Sequence, residues 1–89
     1  MEILHDEKQQ KFYVILENME SHLEYVKLNS ALNLNHTYVP HQLRGKGIAS
    51  KLVEAALDYA RLNGFKIIPS CSYVVVYLQR HPEYEDLLD

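Results

Sequence analysis

Up to Val39 the chain runs in short alternating segments, Glu2–Asp6, Lys11–Leu16, His22–Leu28 and Leu32–Val39, parted by polar stretches such as Glu7-Lys8-Gln9 and Asn29-Ser30. A two-residue repeat sends successive side chains to opposite faces of a strand, so these segments predict an antiparallel meander. Phe12, Tyr13, Val14, Tyr25 and Val26 supply the β-branched and aromatic side chains that a half-buried pleated surface favours.

After Pro40 the repeat lengthens. Ile48, Leu52, Ala56 and Tyr59, with Ala49, Val53 and Ala60, fall on one side of a helical projection, and Lys51, Glu54, Asp58 and Arg61 on the other. The spacing predicts an amphipathic helix over about Gly47–Asn63. Gly64 ends it, because glycine takes the left-handed conformation of a helix C-terminus without a Cβ clash. Phe65–Pro69 reads as a strand and Ser72–Arg80 as a second helix before His81-Pro82. A strand, a long helix and a strand in succession call for parallel pairing by a right-handed crossover. The expected class is α/β (α+β), with a mixed sheet: an antiparallel N-terminal meander, a parallel β-α-β crossover and a C-terminal helix. Residues 1–89 are expected to form a single domain.

Composition narrows the partners. A domain of 89 residues has a marginal core, which invites support from a bound ligand or a partner. A net charge of −3 is the wrong sign for a phosphate-backbone binder and speaks against nucleic acid. No apolar run has the length of a membrane span, and the N-terminus lacks the basic and apolar regions of a secretory signal. The single cysteine, Cys71, cannot close a disulfide within the chain. These features place the expected protein in a reducing cytoplasm, away from membranes. His5, His22 and His81 show no convergent spacing for a metal site.

Two of the three glycines sit in Leu43-Arg44-Gly45-Lys46-Gly47-Ile48-Ala49, between a strand and the first turn of the long helix. Glycines permit a sharp turn and close approach of a ligand, while a helix start offers unpaired N–H groups and the positive end of its dipole. The ligand invited is an anion, most naturally phosphate. Arg44 and Lys46 place positive charge there on an otherwise acidic chain. Neither glycine is followed by Lys-Ser or Lys-Thr, so a Walker loop fails. A dinucleotide fingerprint fails as well, with Ser50 where its third glycine belongs and Ile67 near its acidic position.

Arg44-Gly45-Lys46-Gly47-Ile48-Ala49 does resemble the Arg/Gln-x-x-Gly-x-Gly/Ala signature of the GCN5-related N-acetyltransferases. The likeness extends over most of the chain. With His36-Thr37-Tyr38-Val39-Pro40, Cys71 and Arg80-His81-Pro82-Glu83-Tyr84, the sequence is similar to the small YjdJ-like branch of that superfamily. The resemblance implies a minimal form of that fold, acetyl-CoA as cofactor, and transfer of an acetyl group to an amine acceptor, either a small molecule or a protein lysine. It implies a coenzyme site of Val39, Leu43, Arg44, Gly45, Lys46, Gly47, Ile48 and Ala49, with amides of the turn on the diphosphate and Val39 alongside the pantetheine arm. Tyr77 would protonate the departing thiolate, against the alternative of a partly buried helix aromatic.

The acceptor amine, with a pKa near 10, costs about 4 kcal/mol to deprotonate at pH 7, so a base is useful. His36 is the candidate, as an imidazole that is neutral at physiological pH, against the alternative of a histidine satisfied by ordinary sheet contacts. His41 is a weaker choice. Cys71, next to a helix start that lowers a thiol pKa, opens an acyl-cysteine route; its alternative is a small apolar filler. The helices that usually shape the acceptor pocket between the first two strands are replaced by Glu7–Gln10. The acceptor side is therefore expected to be open, or completed by a second copy or a partner protein. A coenzyme A-binding module acting with a partner, and an interaction domain whose glycines only cap a helix, are the competing functions.

Overall fold

The computed structural model of the protein describes residues 1–88. Its elements are β1 (Leu4–Asp6), β2 (Lys11–Leu16), β3 (Met19–Leu28), β4 (Ala31–Tyr38), a 3-10 turn at His41–Leu43, α1 (Ile48–Asn63), β5 (Lys66–Pro69), α2 (Ser72–Arg80) and a 3-10 segment at Pro82–Leu87. The five strands form one sheet in the order β1-β2-β3-β4-β5. The first four pair antiparallel and β5 pairs parallel to β4. This is the expected mixed α+β sheet.

The expected third strand begins too late. β3 starts at Met19, because Glu17 and Asn18 both take positive φ, 52° and 62°, in a tight connection that pairs Leu16 directly with Met19. Left-handed residues at both central positions match the twist of a hairpin, but Glu-Asn is a weaker sequence signal for that turn than Asn-Gly. α1 runs as expected. Gly64 takes φ 75° and Phe65 N–H donates to the Ala60 carbonyl at 2.8 Å, satisfying the helix end.

The sheet has one covered face. Phe12, Val14, Leu23, Tyr25, Leu32 and Leu34 point toward Leu52, Val53, Ala56, Leu57 and Ala60 of α1 in one apolar cluster, joined by Ile67 and by Val74 and Tyr77 of α2. The reverse face carries Lys11, Tyr13, Glu20, His22, Glu24, His36 and Tyr38 at the alternate strand positions. The C-terminal segment returns to the β5 edge, where Leu88 bridges Ile67 in parallel and Arg61 pairs with Asp86 at 2.7 Å.

One irregularity in β4 shapes everything beyond it. Glu24 of β3 opposes His36, while the next residue, Tyr25, opposes Leu34, so Asn35 is left over as a bulge. The extra residue reverses the alternation. Leu32 and Leu34 are buried before it; after it Thr37 and Val39 turn inward while His36 and Tyr38 are exposed.

The parting of helix faces can be measured. Leu57→Ala should lower unfolding free energy by about 2–5 kcal/mol, because Leu57 is fully buried. Leu62→Ala, at an 85% exposed position of the same helix, should stay within about 0.5 kcal/mol. Urea unfolding of the two variants checks this, and equal losses would mean that α1 presents a different face.

Candidate active site

β4 and β5 stay paired from Ala31↔Lys66 to Leu34↔Pro69 and then separate. Proline has no N–H to continue the ladder. Ser70 N–H turns back to the Ile68 carbonyl, and Cys71 N–H donates to the Leu34 carbonyl at 2.9 Å, marking the crotch of the fork. Beyond it β4 continues through Thr37 with β3 on one side only.

Two helix N-termini converge on this fork. Gly47 caps α1 with φ 76° and Cys71 caps α2 with extended backbone. Ser50 Oγ, in the first turn of α1, lies 2.8 Å from the Tyr73 hydroxyl in the first turn of α2 and ties the two starts together. Neither helix has a side-chain cap or an acidic residue in its first turn. The leading amides of α1 therefore carry partial positive charge with no protein anion placed to answer it, while those of Tyr73 and Val74 in α2 favour the Cys71 thiolate.

Between these ends lies a cleft of about 240 Å³, lined by Val39, Leu43, Arg44, Gly45, Gly47, Ile48, Ala49 and Tyr73. It adjoins a recess that adds Thr37 and Tyr38. Gly45 and Gly47 both have positive φ, 81° and 76°, and the space that a Cβ would occupy at either is clear of protein atoms for 4 Å. Glycine is thus required by the backbone, and it also leaves room for a ligand to approach. A larger cavity of about 320 Å³ lies elsewhere, between Pro69, Val75, Leu78 and Pro82, with Glu85 its one charged lining residue. It lacks a nucleophile and an anion-binding turn, so the smaller cleft is the candidate site.

Most of the residues expected at a coenzyme site come together here, with changes of role. The Leu43 amide is already bonded to the Pro40 carbonyl and the Arg44 amide to that of His41, at 2.9 and 3.2 Å. Leu43, 1% exposed, serves instead as the apolar floor. The donors left for a ligand run from Gly45 into the first turn of α1. Arg44 is steadied by an Nε–H bond to the Val39 carbonyl at 3.2 Å, which aligns its guanidinium beside the turn and occupies that carbonyl. Lys46 does not line the cleft; its ammonium meets Glu17 at 3.3 Å, an exposed pair of small energetic weight.

The three residues expected to carry chemistry are separated. Cys71 is at the fork, with Sγ 3.5 Å from Thr37 Oγ1. Burial, the largest single influence on its thiol, opposes ionisation; the Thr37 hydroxyl and the amides of Val74, Tyr73 and Thr37 together outweigh it and hold the pKa below the ordinary value. Tyr77 is on the core side of α2, 7% exposed and stacked on His81 with ring centroids 4.1 Å apart. Burial, then the nearby Glu54, Glu83 and Asp58, push its hydroxyl up, and it does not line the cleft. Tyr73, one helical turn earlier, does. Both tyrosines were visible in the sequence, and only the packing of α2, which buries Val74 and Tyr77, separates them. His36, turned outward by the bulge, lies on the reverse face of the sheet. His41 is exposed in the 3-10 turn.

The remaining histidines have other partners. His5 stacks on Phe12 and its Nε2 is 2.6 Å from the Tyr25 hydroxyl, and His81 meets Glu83 at 3.2 Å. His22, which sequence spacing does not connect with His36, lies beside it across β3 and β4, with ring centroids 5.9 Å apart. No described helix is long and apolar enough to cross a membrane.

Residues 11–87 match the family model for GCN5-related N-acetyltransferases. The chain is 34% identical to the chicken (Gallus gallus) protein NATD1 over 86 residues, covering 92% of this chain and 77% of that protein. It is also 34% identical to human NATD1 over 82 residues, covering 88% and 72% respectively. Among solved structures, the solution NMR structure of a GCN5-like protein from Staphylococcus aureus superposes with a TM-score of 0.78 at 33% identity, covering 99% of this chain and 87% of that one. The forked sheet with its glycine turn is accordingly that of a small family member, and the chain belongs to the GCN5-related N-acetyltransferase family.

Proposed function

We propose that the protein is an acetyl-CoA-dependent N-acetyltransferase acting on an amine. The observation that carries this reading is the convergence of the unpaired amides from Gly45 into α1 with the Cys71 thiol at one fork. The donor set fits a diphosphate: successive N–H groups on a positive dipole end, two glycines with open space before them, and the Arg44 guanidinium alongside. The unpaired edge of β4 beyond Leu34 offers main-chain groups to the amides of a pantetheine arm. Leu43 and Ile48 give the cleft an apolar floor.

When bound, acetyl-CoA supplies an acyl group activated as a thioester. The chain's own contribution is positional and electrostatic. The turn amides and Arg44 bind and orient the diphosphate, and the helix ends stabilise negative charge that develops near the fork. Tyr73 provides an O–H at the cleft, in place of the buried Tyr77. With His36 facing the reverse side, Cys71 is the ionisable group at the fork, and its thiolate is favoured by Thr37 and the start of α2. The exposed approach to the fork favours an acceptor presented from outside, whether a small amine or a lysine on another protein. It equally supports a second reading, a coenzyme A-binding module that works with a partner. Thiol release from acetyl-CoA with a panel of amines distinguishes the two: turnover with any amine supports the transferase, and binding without turnover supports the module.

The cradle has a direct test. Coenzyme A at 100 times its dissociation constant should stabilise the fold by about 2.7 kcal/mol in thermal unfolding. Arg44→Glu should weaken binding at least about tenfold, from loss of a charge-assisted contact and like-charge repulsion. Calorimetric titration that gives the same affinity for both proteins would displace the diphosphate from this turn.

The thiol has its own. Alkylation of Cys71 by iodoacetamide should rise with pH about a midpoint below that of an ordinary free cysteine. Thr37→Val removes a contact that favours the thiolate, so the midpoint should move upward and the rate at neutral pH should fall. An unshifted midpoint would remove Thr37 from control of the thiol.

A further inference from the structure

On the reverse face of the sheet, behind the fork, three potential ligands meet that lie far apart in sequence. His22 and Glu24 are two apart on β3 and share a face, and Glu24 stands opposite His36 of β4. One donor atom from each of His22, Glu24 and His36 lies within 4.8 Å of the other two. His22 Nε2 is 3.8 Å from a Glu24 carboxylate oxygen, beyond hydrogen-bond range. Donor atoms around one tetrahedral ion at about 2.0–2.1 Å are separated by about 3.3 Å, so small side-chain rotations suffice to close the set.

The surroundings prepare His22 as a ligand. Its Nδ1 lies 3.0 Å from Glu20 Oε2, and the same oxygen accepts from Lys11 Nζ at 2.8 Å. With Nδ1 turned to Glu20, Nε2 is the ring nitrogen that faces the Glu24 carboxylate. A carboxylate behind a ligating histidine is also the usual outer support of a metal site.

From this juxtaposition we propose that His22, Glu24 and His36 bind one divalent transition-metal ion, with positions left open to solvent. Two imidazoles and one carboxylate suit zinc, copper or nickel; calcium and magnesium prefer all-oxygen sets. The site needs no coenzyme and stands independently of the transferase reading.

The test uses the full chain, freed of metal with a chelator and titrated with zinc chloride in a calorimeter. One ion per chain is expected. His22→Gln, His36→Gln and Glu24→Gln should each weaken binding at least about tenfold, since even outer-shell changes cost that much. His41→Gln and Cys71→Ser, which lie outside the cluster, should bind as the parent does. The three ligand positions are half-buried or exposed, and circular dichroism of each metal-free variant confirms folding. Copper-loaded protein should show magnetic-resonance couplings to two imidazole nitrogens, falling to one in His36→Gln. Absence of binding at millimolar zinc, binding indifferent to the three substitutions, or binding lost in Cys71→Ser would each overturn the proposal.

Discussion

The candidate site depends on the failure of one strand pairing. A parallel ladder could carry β4 and β5 side by side to their ends, closing the sheet and hiding every main-chain group between them. Pro69 cannot donate to that ladder, and the last registered pair is Leu34↔Pro69. One residue further along β4, the Asn35 bulge adds a bend. The strands part, and the connection out of β5 drops the start of α2 into the gap, secured by the Cys71 amide on the Leu34 carbonyl. The fork, the placement of Cys71 and the tie between Tyr73 and Ser50 all follow from that break.

The placement of charge reconciles an acidic chain with the anion site proposed for its glycine turn. The net −3 is spread over the surface, while the cleft is bounded by helix dipoles, unpaired amides and Arg44. Acidic side chains are absent from both opening turns. The nearest bond formed by Lys46 is with Glu17, so it adds little local field, and the positive potential of the turn rests on oriented main-chain dipoles that cannot swing away. The two glycines have the same logic. Their positive φ fixes where the amides point, and their lack of side chains keeps the approach clear.

Periodicity revealed the elements because it records burial. The α1 repeat, the Gly64 stop and the five strands were legible to within a few residues, and the position of Gly45 and Gly47 just ahead of the helical repeat placed the glycine turn before a helix. Details that depend on pairing across strands were not. A bulge at Asn35 leaves no mark in the local sequence, yet it decides that Thr37 faces Cys71 and His36 faces the opposite side. Similarly, which amides of the turn remain free depends on whether Pro40–Arg44 coils into a 3-10 turn, since that turn consumes the donors of Leu43 and Arg44. Tyr73 and Tyr77 are one helical turn apart, and choosing between them requires knowing where α2 rests on the core.

The same bulge creates two chemically different sides of one short stretch of β4. Thr37 supports a thiolate on the helix side, and His36, its immediate neighbour, stands with His22 and Glu24 on the open side. Were Asn35 paired in regular register instead of bulging out, the alternation set by Leu32 and Leu34 would carry His36 inward and Thr37 outward, exchanging the hydroxyl beside Cys71 for an imidazole. Whether Asn35 bulges or pairs therefore determines whether the group next to the thiol is a base or a hydrogen-bonding alcohol. In this chain it is the alcohol, so the imidazole is free to serve the other face, and the sheet itself keeps the two chemistries apart.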